Sequence, residues 1–252
     1  MIIAIDIRSL SGGAYTGVGE YTRNLLQHLI PAHSDIEFKL FFNAHSEKPN
    51  LDFLGAIPNA KLYHFRYPNK YFSAATRFLN VPKLDRMVGG ADVFFSPHFI
   101  ATPTTASCRK VITFHDLSFE RYPEFFDRRR KFWHFSNNPK KQAQMASEII
   151  AVSESTAYDL TDLYGVDAKK IHVVYSGVRK EFFREISQEE MSHVKGKYRL
   201  PDCFILSVST IEPRKNVLGI IKAFEIFKEC PDVKAIYFLS RIYRRRGQAG
   251  SV

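Results

Sequence analysis

The sequence predicts an α/β protein with a parallel sheet in its first part and the opening of a second α/β unit after it. Short β-branched or aromatic runs that end in polar clusters alternate with segments of helical period, the pattern of buried parallel strands joined by helices. Residues 179–202 change character, becoming charged and polar around Gly196 and Pro201, and read as a linker with a helical piece. A new strand–loop–helix–strand unit follows from Phe204.

In the first part, Ile2-Ile-Ala-Ile-Asp-Ile7 is a strand with Asp6 and Arg8 at its C-terminal end, followed by a loop holding Gly12, Gly13, Gly17 and Gly19. Val18, Tyr21, Leu25, Leu26 and Leu29 recur at helical spacing until Pro31. Glu37 to Phe42 and Lys61 to Phe65 read as strands, and about Tyr71 to Met87 as a helix. Val93 to Pro97 and Lys110 to Phe114 are short buried strands, ending in Ser96, Pro97 and His98 and in His115 and Asp116. In open α/β sheets ligands bind beyond the strand C-termini, so these ends point to one crevice. Glu124 to about Ser147 reads as a long helix and Glu148 to Val152 as a strand. Ser153 then caps a helix that Gly165 ends, and Ile171 to Tyr175 is the next strand.

In the second part, Phe204 to Val208 is a strand, Asn216 a helix N-cap, and Val217, Ile220, Ile221, Phe224 and Phe227 a buried stripe, with Lys234 to Leu239 as the next strand. Two strands and one helix bury too little apolar surface to offset the entropy of ordering them. Residues 203–240 are therefore expected to be the start of a larger domain in a chain cut short, with 241–252 a basic tail, disordered or non-native. The expected organisation is a domain over 1–178, a linker over 179–202, an incomplete domain over 203–240 and the tail.

At 252 residues, 45% apolar and 14% aromatic, the chain can bury a core, which excludes a disordered protein. The net charge is +10, and Arg241, Arg244, Arg245 and Arg246 of the tail contribute to it. A basic balance suits polyanions: phosphorylated ligands, anionic membrane or nucleic acid. No nucleic-acid module is recognisable, so that partner is not expected. Cys108, Cys203 and Cys230 are odd in number and lack metal-ligand spacing, which suits buried apolar residues in a reducing cytoplasm, with no metal or cofactor. Met1 leads directly into a strand without a signal-peptide pattern. No window approaches the roughly 18 apolar residues of a membrane span.

Chemistry concentrates in a few stretches. From Phe204 an apolar strand empties into Glu212-Pro-Arg-Lys-Asn216 and a helix start, a natural anion site where backbone N–H groups meet the charges of Arg214 and Lys215. A solvated basic turn is the plain alternative. Glycines in the first loop permit close approach of a ligand, or simply a turn, and their spacing is not the dinucleotide fingerprint. His115 beside Asp116 can exchange a hydrogen bond with a sugar-like hydroxyl or serve structure. His98 is a similar candidate for the acceptor side. Arg128-Arg-Arg-Lys131 among aromatics suits an anionic membrane or a solvated face over the core.

Glu212-Pro-Arg-Lys-Asn216, Thr16-Gly-Val18, Phe114-His-Asp-Leu117, Ser153-Glu-Ser-Thr156 and Val174-Tyr-Ser-Gly-Val178 together resemble the GT-B glycosyltransferases of the family-4 type, over nearly all of residues 1–240. The resemblance implies a Rossmann-like, acceptor-side N-terminal domain and an incomplete second Rossmann-like domain. It implies transfer of a hexose, mannose among the candidates, with retention, from a GDP- or UDP-linked sugar to a glycan or lipid-linked acceptor in polysaccharide biosynthesis. It also implies cytoplasmic location, with contact to the cytoplasmic membrane face. In this reading His115 is the catalytic residue near the transferred sugar, and Gly17 faces the donor phosphates. Asp116, Glu212, Arg214 and Lys215 bind substrate or donor. Ser209 departs from the family, where a glycine is common. The family's Glu-x7-Glu segment would lie beyond Val252, so weak donor binding with little turnover is expected. The rival expectation is an inactive fragment or a partner-binding module.

Overall fold

A computed structural model describes residues 1–11, 16–55, 57–201 and 203–227 of the chain, and the backbone of 235–239. They fall into two compact units, Met1–Gly177 and Val178–Val252. The expectations for Gly12, Gly13, Cys230 and the basic tail lie outside the described residues.

The first unit runs β1 (Ile2–Asp6), α1 (Gly17–Ala32), β2 (Glu37–Asn43), β3 (Ala60–Phe65), α2 (Asn69–Ala74), α3 (Leu84–Met87), β4 (Val93–Ser96) and β5 (Arg109–Phe114). It continues with α4 (Ser118–Arg121), α5 (Arg128–Asn137), α6 (Pro139–Met145), β6 (Glu148–Ala151), α7 (Glu154–Tyr164) and β7 (Ile171–Val173). Seven strands form one sheet in the order β3-β2-β1-β4-β5-β6-β7, each pair parallel. The chain builds outward from β1 to β3, returns beside β1 as β4, and builds the other way to β7. That reversal puts a crevice beyond the C-terminal ends of β1 and β4.

Interior strands are apolar on both faces. Phe38, Leu40 and Phe42 of β2 pack with Ile5, Leu26 and Ile30, while Phe41 packs with Phe72, Leu84 and Phe94 on the opposite side. α1 starts where Thr16 Oγ1 accepts from Gly19 N at 3.3 Å, and Thr22, Leu26 and Ile30, one turn apart, face the core. Pro31 does not stop this helix at once but occupies its last turn. α7 is bounded as the sequence indicates, with Ser153 accepting from Thr156 N at its start and Gly165 left-handed at its end.

Two long helices expected from the sequence are broken. After α2 the chain takes a π-helical turn, Ala75–Leu79, and Asn80 turns left-handed at φ 58°. Pro82, which cannot continue a helix, separates it from α3. Asn138, with φ 47°, divides the segment after Glu124. Its Oδ1 accepts from Lys141 N at 3.1 Å, and Pro139 takes the first position of α6.

Two lysines are buried in the sheet. Lys39 Nζ donates to the carbonyls of Gly89 and Gly90, at 3.3 and 2.9 Å. Lys110 Nζ donates to Gln142, and burial lowers its pKa to about 7, with Asp6 opposing and Arg8 and Lys83 adding to the shift. The unfolded chain therefore holds a proton from pH about 7 to about 10.4 that the native state releases, so this lysine makes stability rise with pH across that window. Lys110→Met is expected to raise the unfolding free energy at pH 7 by on the order of 1 kcal/mol, and with it the urea midpoint, and to flatten the rise. A lower midpoint would show that the bond to Gln142 outweighs the cost of burial.

Cys108 is buried as expected, its thiol raised to about 11 by burial and by Asp85 and Asp92. Cys203 is exposed, against expectation, because it precedes a strand that is itself only partly covered.

The second unit contains α8 (Gln188–Tyr198), β8 (Phe204–Val208), α9 (Val217–Phe227) and β9 (Ala235–Leu239). α8 begins with a capping box: Ser187 Oγ accepts from Glu190 N, and the Glu190 carboxylate accepts from Ser187 N, both at 3.1 Å. β8 and β9 pair in parallel from Phe204↔Ala235 to Val208↔Leu239. The stripe expected to be buried on α9 is only half-buried at Val217, Ile220 and Phe224, and exposed at Ile221 and Phe227. Two strands offer too little apolar surface to cover it.

Candidate functional site

The ends of β1 and β4 bring a charged pair and an imidazole together. Arg8 clamps the buried Asp6 carboxylate, with Nη2 at 2.6 Å from Oδ2 and Nε at 3.0 Å from Oδ1. Nη2 also donates to the Ala101 carbonyl at 3.1 Å. Asp6, Arg8, Ser9, Pro97, His98 and Ile100 line a cavity of about 130 Å³ at the winding reversal.

His98 lies against Trp133, stacked at 5.6 Å, with His115 at 6.0 Å. Burial depresses its pKa to about 3, the neighbouring His115 and His134 add, and Asp116 opposes. Its Nδ1 is buried and has no hydrogen-bond partner among the described residues.

His115 follows β5, and its Nε2 lies 2.8 Å from the Pro97 carbonyl. A carbonyl oxygen only accepts, so Nε2 carries the proton and Nδ1 keeps its lone pair. The Tyr21 ring meets His115 edge-on at 4.9 Å, and Tyr21 Oη reaches Thr113 Oγ1 at 3.4 Å. Thr156 Oγ1 donates to the His115 carbonyl at 3.3 Å and fixes its backbone. Burial lowers the His115 pKa, against the Pro97 bond and Asp116. The result is a held, neutral imidazole able to accept a hydrogen bond at Nδ1.

Asp116 is exposed, and its Oδ1 accepts from Ser118 N at 3.0 Å and Ser118 Oγ at 2.6 Å, which starts α4. Gly17 is the exposed first residue of α1, and a Cβ added there would meet nothing within 4 Å. Packing within this unit therefore does not require the glycine. Glu20, one turn on, has a buried Oε2 without a hydrogen-bond partner among the described residues.

Glu212, Arg214 and Lys215 belong to the second unit. Arg214 Nε donates to Glu212 Oε2 at 2.8 Å. Asn216 Oδ1 accepts from Gly219 N at 3.2 Å and caps α9, as expected. Lys215 has no ion-pair partner among the described residues, so it is the more available of the loop's two cations. His115 and Asp116 thus meet at one edge of the first unit, and the three loop residues meet at the turn before α9.

A second, more polar cavity of about 210 Å³, lined by Arg8, Asn43, Asn69, Thr76, Arg77 and Asn137, among others, has no counterpart among the sequence expectations. Its residues come from the ends of β1, β2 and α5 and from the segment after β3, separations at which no motif is visible. Arg8 and Asn43 at strand C-termini were the available signal.

Residues 15–182 match the family model of Glycosyltransferase Family 4. Over 96 residues the chain is 34% identical to the serotype-specific mannosyltransferase WbdA of Escherichia coli, which covers 38% of this chain and 12% of that protein. Over 225 residues it is 25% identical to O-antigen chain mannosyltransferase B of Escherichia coli, covering 84% of this chain and 56% of the relative. Among solved structures, Anabaena Alr3699/HepE in complex with UDP-glucose is similar at a TM-score of 0.57 and 16% identity, covering 94% of this chain and 60% of that one. A glycosyltransferase from Rickettsia africae ESF-5 is similar at 0.50 and 14% identity, covering 95% and 68%. The chain spans about half the length of mannosyltransferase B and a small part of WbdA.

Proposed function

The chain belongs to Glycosyltransferase Family 4 and has the GT-B type of α/β fold, and from that premise we propose that it transfers mannose, or another hexose, from a nucleotide-diphosphate sugar to a glycan or lipid-linked acceptor, with retention. The names of WbdA and mannosyltransferase B support mannose, and the UDP-glucose of the HepE complex supports a nucleotide-sugar. The observation that carries the reading is His115: neutral, oriented through Nε2, and presenting a lone pair at the C-terminal edge of the sheet. A sugar hydroxyl donating to Nδ1 would be held in one orientation, a positioning contribution to the barrier. Lys215, with Arg214 beside its Glu212 partner and the loop N–H groups, would stabilise charge developing on the leaving diphosphate. Gly17 leaves the start of α1 open to donor phosphates. Asp116 would act through the α4 start and its field on the imidazoles.

The test is mannose or glucose transfer from GDP-mannose and UDP-glucose to lipid-linked and free glycans, with binding of each donor measured in parallel. Transfer sensitive to Lys215 and His115 supports the reading. Donor binding without transfer favours the partner-binding alternative, and absence of donor binding sinks both roles assigned to the loop.

No helix among the described residues is long and apolar enough to cross a membrane. Peripheral contact is part of the proposal. Phe126 and Trp133 of the basic segment pack into the core, whereas Phe132 and Phe135 are 62% and 79% exposed beside Arg128–Lys131. Such a face suits anionic lipid, at about 1 kcal/mol per basic residue near the surface. Co-sedimentation with phosphatidylglycerol vesicles should fall when Arg128, Arg129 and Lys131 are changed to Gln; unchanged sedimentation would remove this face from the proposal.

A further inference from the structure

The larger cavity has the features of an anion site that the donor reading leaves unused. Two guanidiniums line it, and both keep N–H groups free of any bond among the described residues. Arg8 uses Nε and Nη2 on Asp6 and Ala101, which leaves Nη1. Its guanidinium lies 5.6 and 5.7 Å from the ring centroids of Phe41 and Phe72, so it is held in place. Arg77 uses only Nη1, donating to Ser136 Oγ at 3.2 Å, and has no carboxylate at ion-pair distance among the described residues. Asp6 balances Arg8, whereas among the described residues nothing comparable balances Arg77. Its guanidinium pKa is lowered by burial and by the nearby charge of Arg8, the field that an incoming anion would relieve. Two acids stand one hydrogen bond from the lining: Asp6, which accepts from Arg8, and Glu47, which accepts from Ser11.

Neutral donors complete the wall. Asn43 Nδ2 donates to Asn69 Oδ1 at 3.4 Å, which turns the Asn69 amide so that its own N–H₂ is left over. Arg77 and Thr76 are carried by the π-helical turn, a widening that helices often reserve for functional positions. The cavity lies beyond the C-termini of β1 and β2, beside the one at the winding reversal, and the two share Arg8 and Ile100.

We propose that this cavity is the subsite for a phosphoryl group on the acceptor, gripped by the free N–H groups of Arg77 and Arg8 with the Asn69 amide. The proposal rests on the reading of the first unit as the acceptor side of a glycosyltransferase. A guanidinium fork matches phosphate oxygens in pairs, which is why arginine rather than lysine suits such a wall. The surroundings indicate a lipid phosphate as the source. Phe78 and Leu79, directly after Arg77, are 63% and 70% exposed, and Phe135, directly before Ser136, is 79% exposed. These exposed apolar side chains, next in sequence to Arg77 and to the Ser136 that holds it, are surface against which an alkyl chain on the phosphate would lie.

Calorimetric titration of the 252-residue chain with decyl phosphate, inorganic phosphate and decanol tests this. Decyl phosphate should bind saturably and decanol should not. Arg77→Gln should weaken decyl phosphate about tenfold or more, and Asn69→Asp, which leaves both arginines in place, should weaken it by repulsion. Lys169→Gln, an exposed charge elsewhere, should change nothing. Tighter binding of decyl than of inorganic phosphate supports the lipid source, and equal affinities support a soluble phosphate ester at the same site. No saturable phosphate binding by a normally folded chain, or affinity in both Arg77→Gln and Asn69→Asp equal to that of the unaltered chain, would overturn the proposal. GDP-mannose and UDP-glucose titrations keep it apart from the donor reading. Failure of that reading removes nucleotide-sugar binding in the unaltered chain, whereas failure of this one leaves such binding intact.

Discussion

On the proposed transfer, replacing Lys215 with alanine is expected to lower kcat about 10²–10³-fold, the usual cost of removing one preorganised donor from a site where oxyanion charge develops. The size of the effect follows from the loop's internal pairing. Arg214 is held by Glu212 at 2.8 Å, so part of its charge is already answered, while Lys215 stands at the end of a short 3₁₀ turn without an ion-pair partner among the described residues. Arg214→Ala should therefore cost less than Lys215→Ala, because part of the Arg214 charge is already taken up by Glu212. Lys215→Arg keeps the charge and should recover part of the rate. Comparison of kcat with KM decides the role: a lysine that serves the leaving group lowers kcat, whereas one that only holds donor raises KM. Unchanged kcat/KM in Lys215→Ala would exclude the loop from the chemistry.

The second large effect belongs to His115. His115→Phe keeps an aromatic ring against Tyr21 but removes both the bond to Pro97 and the Nδ1 lone pair, and transfer should fall about 10²-fold, the scale of a lost orientation. His115→Asn retains an acceptor and a donor and should fall less. An equal loss in both variants would show that shape rather than hydrogen bonding matters. The pH dependence has a definite sign. Burial lowers the His115 pKa, so its acceptor survives below the ordinary imidazole value of about 6.5 and is lost only once pH falls below the lowered one. His98 and His134, held down to about 3 and about 4, behave alike. As pH falls below about 6.5 the unfolded chain takes up protons that the folded imidazoles exclude, so stability decreases toward pH about 3. Acid unfolding followed by circular dichroism should begin at lower pH in a His98→Phe chain.

The strands were legible because burial on both faces leaves an uninterrupted apolar signature, and β1, β2, β4, β5 and β6 fall within a residue or two of the apolar runs. Helix interruptions were less so. Asn80 and Asn138 adopt left-handed backbone inside segments with helical spacing, and apolar periodicity does not report the angle of one residue. His115 was legible from its place after a strand, but its tautomer was not, since that depends on a carbonyl 18 positions earlier. Arg77 could not be selected from the sequence at all. Its significance arises from Arg8, Asn69 and Ser136, which the fold brings to it from three other places in the chain.

Arg8 is fixed before any ligand arrives, by the Asp6 carboxylate, the Ala101 carbonyl and two phenylalanine rings. A free arginine loses up to about 2 kcal/mol of rotamer entropy when it is ordered. For Arg8 that loss occurs during folding, so an anion meeting its Nη1 gains the contact with little further ordering. Arg77, tied by one bond to Ser136, retains more freedom, and an occupant would have to quench it. The cavity thus pairs a cation held by several contacts with one held by a single hydrogen bond, and calorimetry should record the difference as an unfavourable binding entropy that belongs mainly to Arg77.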